Sequence, residues 1–209
     1  MSFHGRSYLS GDAGCDDLPQ GDLADNGWIV APQTITKITE EEYLRLERAA
    51  EGKSEFINGK IFPVSGGTIW HALIGMNFGA ALVFQSRSRG FRVLSSDARV
   101  RTSASGSYVY PDVSVVRGTP LTHQSAADNL INPTVIVEVL SPSTANFDGG
   151  KKFQLYREIA SLEDYVLVYT DAPLIEHFAR QPDASWTFRE YRGLESSVSL
   201  SLQSARPCN

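Results

Sequence analysis

Apolar positions along this chain follow first a helical and then a strand-like period. Thr39 with Glu42 three residues later is a capping box, and Tyr43, Leu44 and Leu46 give apolar content to a short helix from about Glu40 to Ala50. Glu51-Gly52 should end it. The run from Glu55 to Phe62 reads as a hairpin, because Asn58-Gly59 supplies the positive-φ pair that a type I′ turn needs. From about Thr68 to Ser86, the positions Trp70, Leu73, Ile74, Phe78, Ala81 and Leu82 predict the core face of a long helix, with Gly75 and Gly79 allowing close backbone approach on one side. Three β-rich runs follow, at Phe91 to Thr102, Tyr108 to Val116 and Thr134 to Leu140. After a polar loop from Ser141 to Asn146 and Asp148-Gly-Gly, Lys151 to Ile159 is helical and Tyr165 to Tyr169 is a further strand. Leu174 to Phe178 and Trp186 to Tyr191 read as hairpin strands. The predicted class is α/β: a central mixed β-sheet flanked by helices in the order αβββαβ, preceded by a helix and a hairpin and extended by C-terminal strands.

Three charges break this pattern. Glu138 lies inside the apolar run Thr134 to Leu140, and alternation puts it on one face with Ile136 and Leu140, opposite Val135, Val137 and Val139. Lys152 shares a helical face with Leu155, Tyr156 and Ile159, whereas Lys151 falls with Gln154 and Glu158 on the other and should meet water. Asp112 follows Pro111 and opens the apolar run Val113 to Val116. A carboxylate taken into a sheet interior costs several kcal/mol unless a cation or strong donors meet it. Folding alone gives no reason for such placement. A structural Glu138–Lys152 salt bridge would account for two of the charges, and a lysine snorkelling along the helix edge for one. Two converging acids would repel unless a divalent cation held them.

The composition sets outer bounds. With 209 residues, 42% hydrophobic and 21% charged, the chain is long enough for one well-buried core. Residues 1–33 are expected to be a disordered acidic tail, 34–204 one folded domain and 205–209 a frayed end. Asp12, Asp16, Asp17, Asp22 and Asp25 against Arg6 account for most of the net charge of -5, so the rest of the chain is almost neutral. Cys15 and Cys208 give neither a disulfide framework nor a zinc spacing, which suits a reducing cytoplasm. The longest apolar stretch, Ala72 to Phe84, is too short to cross a bilayer, so no membrane partner is expected. Arg87, Arg89, Arg92, Arg99, Arg101 and Arg117 form a local basic excess that either faces phosphates or is solvated surface.

Together these residues resemble the PD-(D/E)XK nuclease superfamily, and within it the bacterial, cyanobacteria-rich Uma-type “putative restriction endonuclease” family, over about Ile38 to Leu202. The resemblance is carried by Glu55 before Asn58-Gly59, His71 in the first long helix, Pro111-Asp112-Val113, the stretch Val137-Glu-Val-Leu-Ser-Pro-Ser143, and Asp148 followed by Lys152 and Tyr156. The superfamily's usual lysine, two residues after the glutamate, is replaced by Leu140; in the resembled family the lysine comes from the next helix, where Lys152 stands. The resemblance implies a restriction-endonuclease-like core and hydrolysis of DNA in the cytoplasm. Asp112, Glu138 and the backbone carbonyl of Val139 would hold Mg²⁺ or Mn²⁺, and Lys152 would complete the catalytic set.

Other positions carry two readings each. Glu55 is a further acid at the metal site or a hairpin surface acid; His71 contacts phosphate or water or is a structural histidine; Asp148 is catalytic or a helix N-cap. Arg99, Arg101 and Lys151 are candidate DNA contacts. His123 and His177 receive no role. A glycosidase using Asp112 and Glu138 leaves Lys152 idle, and chelation separates it from a nuclease. A nuclease-fold protein that binds nucleic acid or a partner without cutting is the other alternative. A homodimer would suit cleavage of two strands.

Overall fold

A computed structural model describes residues 37–87, 89–102, 106–123, 128–140 and 147–202, with backbone only for 147–149. The expected acidic tail 1–33, the end 205–209 and the loop 141–146 lie outside the described residues. Helix α1 (Glu40–Ala49) starts where Thr39 Oγ1 accepts from the Glu42 N–H. Strands β1 (Ser54–Ile57) and β2 (Lys60–Pro63) form the expected hairpin, with Asn58 at φ 52° and Gly59 at φ 83° in the turn. Helix α2 (Ile69–Ser86) is capped by Thr68.

The next two β-rich runs are each cut in two. Phe91 to Thr102 becomes β3 (Phe91–Ser95) and β4 (Arg99–Arg101), and Tyr108 to Val116 becomes β5 (Tyr108–Val109) and β6 (Val113–Arg117). With β7 (Asn129–Leu130), β8 (Val135–Leu140), β9 (Asp164–Tyr169), β10 (Leu174–Arg180) and β11 (Trp186–Arg192), they build a five-stranded sheet ordered β2-β1-β5-β4-β7 and a six-stranded sheet ordered β11-β10-β9-β8-β6-β3. Both broken runs therefore leave one sheet and enter the other, turning at Ser96-Asp97 and at Tyr110-Pro111-Asp112. Each sheet is mixed, with β8 parallel to β9 and β4 parallel to β7. This is the α/β class that the sequence predicts, with its sheet divided.

Strand β8 lies inside the six-stranded sheet and is buried along its length. On one face, Val135 and Val137 join Val113, Val115 and Val166 against Leu82, Phe78 and Ile74 of α2. On the other, Ile136 and Leu140 pack with Tyr156, Ile159 and Tyr165, and with Ile57, Val100 and Val109 from the five-stranded sheet. After β8 the chain winds through a π-helical turn, Phe147–Lys152, into the short helix α3 (Phe153–Tyr156). Helical winding thus starts earlier than predicted, with Asp148 inside the turn instead of capping it. The α2 face also differs from expectation. Ile74, Phe78 and Leu82 point inward, whereas Trp70, Leu73 and Ala81 are exposed. Gly75 and Gly79 face Val139 and Val113 of the sheet. Among the described residues no helix is long and apolar enough to cross a membrane.

Candidate active site

The corner where β5 passes into β6 collects the charges that the sequence left unexplained. In β6 and β8 the register pairs Val113 with Val137. Carried one residue further, it sets Asp112 opposite Glu138, two carboxylates on neighbouring strands. Strand pairing stops at that point. The Val139 N–H donates to Asp112 Oδ2 at 2.7 Å in place of a ladder partner. Because the N–H and C=O of one strand residue point to the same edge, the Val139 carbonyl faces the side on which Asp112 lies.

Lys152 enters from the turn after β8 and is buried with Leu155, Tyr156 and Ile159, while Lys151 is exposed, as the helical spacing requires. Its Nζ lies 3.0 Å from Glu55 Oε1 and 3.3 Å from Glu138 Oε1. Tyr156 OH donates to the same Glu138 oxygen at 2.7 Å. Burial first, then the charge of Glu138, pushes the Tyr156 phenol well above its ordinary range, so it remains a donor. Glu55 is no surface acid: it is 7% exposed and also accepts from the Tyr110 N–H at 3.1 Å.

Tyr110 extends this chain of contacts toward α1. Its hydroxyl donates to Glu47 Oε1 at 2.8 Å, and burial followed by that bond raises its pKa to about 12. Glu47 in turn accepts from the backbone N–H of Ser54 at 3.1 Å and from the Ser54 hydroxyl. One polar chain thus runs from α1 through Tyr110, Glu55 and Lys152 to Glu138 and Tyr156. Sequence reasoning missed Tyr110 and Glu47. The available signals were Tyr110 immediately before Pro111-Asp112, and the i, i+4 spacing that puts Glu47 on the buried face of Tyr43.

His71, in the first turn of α2, has Nε2 3.3 Å from Asp112 Oδ2. Both line a cleft of about 950 Å³ that also borders Tyr110, Lys53 and the flank of α2 as far as Arg87. Asp112 is 18% exposed there, whereas Glu55, Glu138 and Lys152 are buried and do not line the cleft. The side chain of Asp148 lies outside the described residues.

Two candidate DNA contacts are engaged inside the fold. Arg99 is 4% exposed; it donates to Asn129 Oδ1 and Asp128 Oδ2, each at 2.7 Å, and stacks near Tyr43 and Tyr108. Arg101 grips Glu40 with two bonds of 3.0 Å. Both tie the five-stranded sheet to its surroundings, a scaffold role that β-strand alternation alone could not reveal. His177 also has a partner: Nε2 lies 2.7 Å from Asp164 Oδ1, and Asp164 Oδ2 accepts from the Ser201 N–H, pinning the C-terminal segment.

The donor set suits a hard divalent cation. Among the described residues no three His, Cys, Asp or Glu side chains form a metal-holding group. A cation here would take two carboxylates, Asp112 and Glu138, one carbonyl and water, which is how Mg²⁺ usually binds. Glu55, Glu138 and Asp112 against one lysine carry a formal excess of about two negative charges that would repel phosphate unless compensated.

Residues 40–207 match the protein family described as “Uma2: Putative restriction endonuclease”. The chain belongs to the Uma2 family. Two Synechocystis proteins, each described as uncharacterized, share its sequence: sll1609 is 36% identical over 169 residues, covering 81% of this chain and 96% of that protein. The second, slr1290, is 30% identical over 168 residues, covering 80% and 86%. A crystal structure of “a putative nuclease belonging to DUF820” from Anabaena variabilis ATCC 29413 has the same fold, with a TM-score of 0.65 at 20% identity over 79% of this chain and 91% of that one. The Uma2 match spans α1 to the C-terminal segment, so the whole polar chain from Glu47 to Tyr156 lies within it.

Proposed function

We propose that this chain is a DNA endonuclease that hydrolyses phosphodiester bonds with a divalent cation, Mg²⁺ or Mn²⁺. The observation that carries the reading is the meeting of Lys152 with Glu138 and Glu55 beside Asp112, where the sheet opens into the cleft. Membership of the Uma2 family supports it. Asp112, Glu138 and the Val139 carbonyl would hold the cation. When bound, it would neutralise the phosphodiester, stabilise the charge of the transition state and acidify water.

The protein's own groups have separable tasks. The Val139 N–H orients Asp112, and Tyr156 fixes Glu138 by occupying Oε1 as a donor. Lys152 would orient the attacking water and meet charge developing on the phosphate, held for this by two carboxylates. His71, beside Asp112 on the cleft wall, would contact the phosphate or its water. Exposed Lys151 is a cation open to the DNA backbone.

Plasmid and single-stranded DNA incubated with Mg²⁺ or Mn²⁺, with and without EDTA, test this reading. Cleavage that EDTA abolishes is expected. DNA binding without cleavage under any divalent cation would assign the fold to recognition alone.

A further inference from the structure

Helix α2 carries a second apolar stripe that the fold does not use. Between Ile69 and Ser86 it contains no Asp, Glu, Lys or Arg. Its inward side is complete, with Ile74, Phe78 and Leu82 in the core and Gly75 and Gly79 over the sheet. On the opposite side, Ile69, Leu73, Met76, Ala80 and Val83 alternate at spacings of four and three, a rhythm that Arg87 continues, and all six are exposed. Ile69 is 85% exposed, Met76 72%, and the flanking Trp70 and Phe84 are 68% and 74%. A four-three alternation is the seam of a helix packed lengthwise on another helix. Monomers seldom leave so continuous an apolar surface in water.

We propose that the chain forms a two-fold homodimer in which α2 of one copy packs antiparallel on α2 of the other. A second copy is the favoured occupant because the stripe complements itself. An antiparallel register centred near Phe78 sets Met76 against Ala80 of the other copy, Leu73 against Val83, and Ile69 against the aliphatic stem of Arg87. The large thioether meets the small methyl twice across the axis, a knob with its hole. A helix without formal charge also meets its own copy without like-charge repulsion, and charge depletion marks the centre of protein interfaces.

The area suffices. Six large side chains, Ile69, Trp70, Leu73, Met76, Val83 and Phe84, would remove on the order of 700 Å² per copy, against roughly 500 Å² per copy at the lower bound for a specific interface. His71 and Asp112 line the same cleft as Met76, Ala80, Val83 and Phe84, so in the dimer the other copy's helix runs along one wall of each site. The dimer stands independently of whether the site cuts DNA.

Sedimentation or light scattering of the full chain at micromolar concentration tests it. The expected mass is twice 22.9 kDa, falling to the monomer in Met76→Glu and in Leu73→Glu with unchanged circular dichroism. In a Cys15→Ser, Cys208→Ser background, a mixture of Ile69→Cys and Arg87→Cys chains should cross-link as 69 to 87. A monomeric wild type overturns the proposal, as does a dimer that survives Met76→Glu or cross-links 69 to 69. A monomer that dimerises only after deletion of residues 1–36 also overturns it, by making that segment the occupant.

Discussion

The ammonium of Lys152 lies 3.0 Å from Glu55 on strand β1 and 3.3 Å from Glu138 on strand β8, so one cation joins the two sheets at their shared corner. The lysine comes from a helical turn after β8 and not from the strand itself, and from there it reaches Glu138. Its partners are buried, which makes the contact a structural commitment as well as a chemical one.

Replacing the ammonium should therefore cost stability. Lys152→Met leaves two buried carboxylates without their common cation, at roughly 3–5 kcal/mol. Thermal unfolding should show a large fall in Tm, partly restored when Glu55→Gln and Glu138→Gln are added. A variant as stable as the wild type would mean that water replaces the cation.

Tyr156→Phe removes one donor from Glu138 without changing the ring packing. The hydrogen bond ends on a buried carboxylate, so the loss should be roughly 1.5–3 kcal/mol by denaturant unfolding. Mn²⁺ affinity should also weaken, because Glu138 is no longer fixed. An unchanged midpoint would contradict the contact.

Acid should loosen the five-stranded sheet. The Arg48 hydrogen bond, joined by the charge of Arg99, holds Asp128 below its ordinary 3.8 against the opposing effect of burial. For Glu40, burial pushes upward but the Arg101 and Tyr108 bonds outweigh it and leave it below 4.5. Carboxyls depressed in the fold stabilise it above their unfolded pKa, and the contribution is lost as pH falls through the depressed value. Tm should fall from about pH 4.5 downward, and less steeply in Glu40→Gln with Asp128→Asn. Equal slopes would remove these pairs from the acid transition.

Two basic residues should separate scaffold from substrate contact. Arg99→Ala strips Asn129 and Asp128 of a buried donor and should cost at least about 2 kcal/mol in unfolding. Lys151→Ala, at an exposed position, should change stability by less than about 0.5 kcal/mol. If it touches a phosphate, it lowers the salt slope of DNA binding by about 1.

Much of the fold was legible from local chemistry. Thr39, Asn58-Gly59 and Thr68 each act within a few residues, so sequence alone marks those ends and turns. Glu138 and Lys152 stood out because burial of charge conflicts with apolar patterning, and that conflict survives without coordinates. The breaks at Ser96-Asp97 and Pro111-Asp112 did not stand out, since β-propensity says a residue is extended but not which sheet it joins. The α2 face was misread because the helix is apolar almost all round, leaving periodicity nothing to choose between. Arg99 and Arg101 looked like surface cations because their partners, Asp128, Asn129 and Glu40, are remote in sequence.

Cleavage of supercoiled plasmid in Mg²⁺ or Mn²⁺ by wild type and Asp112→Asn, purified side by side, bears most directly on the central claim. The asparagine can still accept the Val139 N–H, so the fold should persist with a matching Tm. The account predicts nicked and linear products from the wild type and at least a hundredfold slower cutting, on the order of 3 kcal/mol in the barrier, from Asp112→Asn. Equal rates from the two preparations would contradict it.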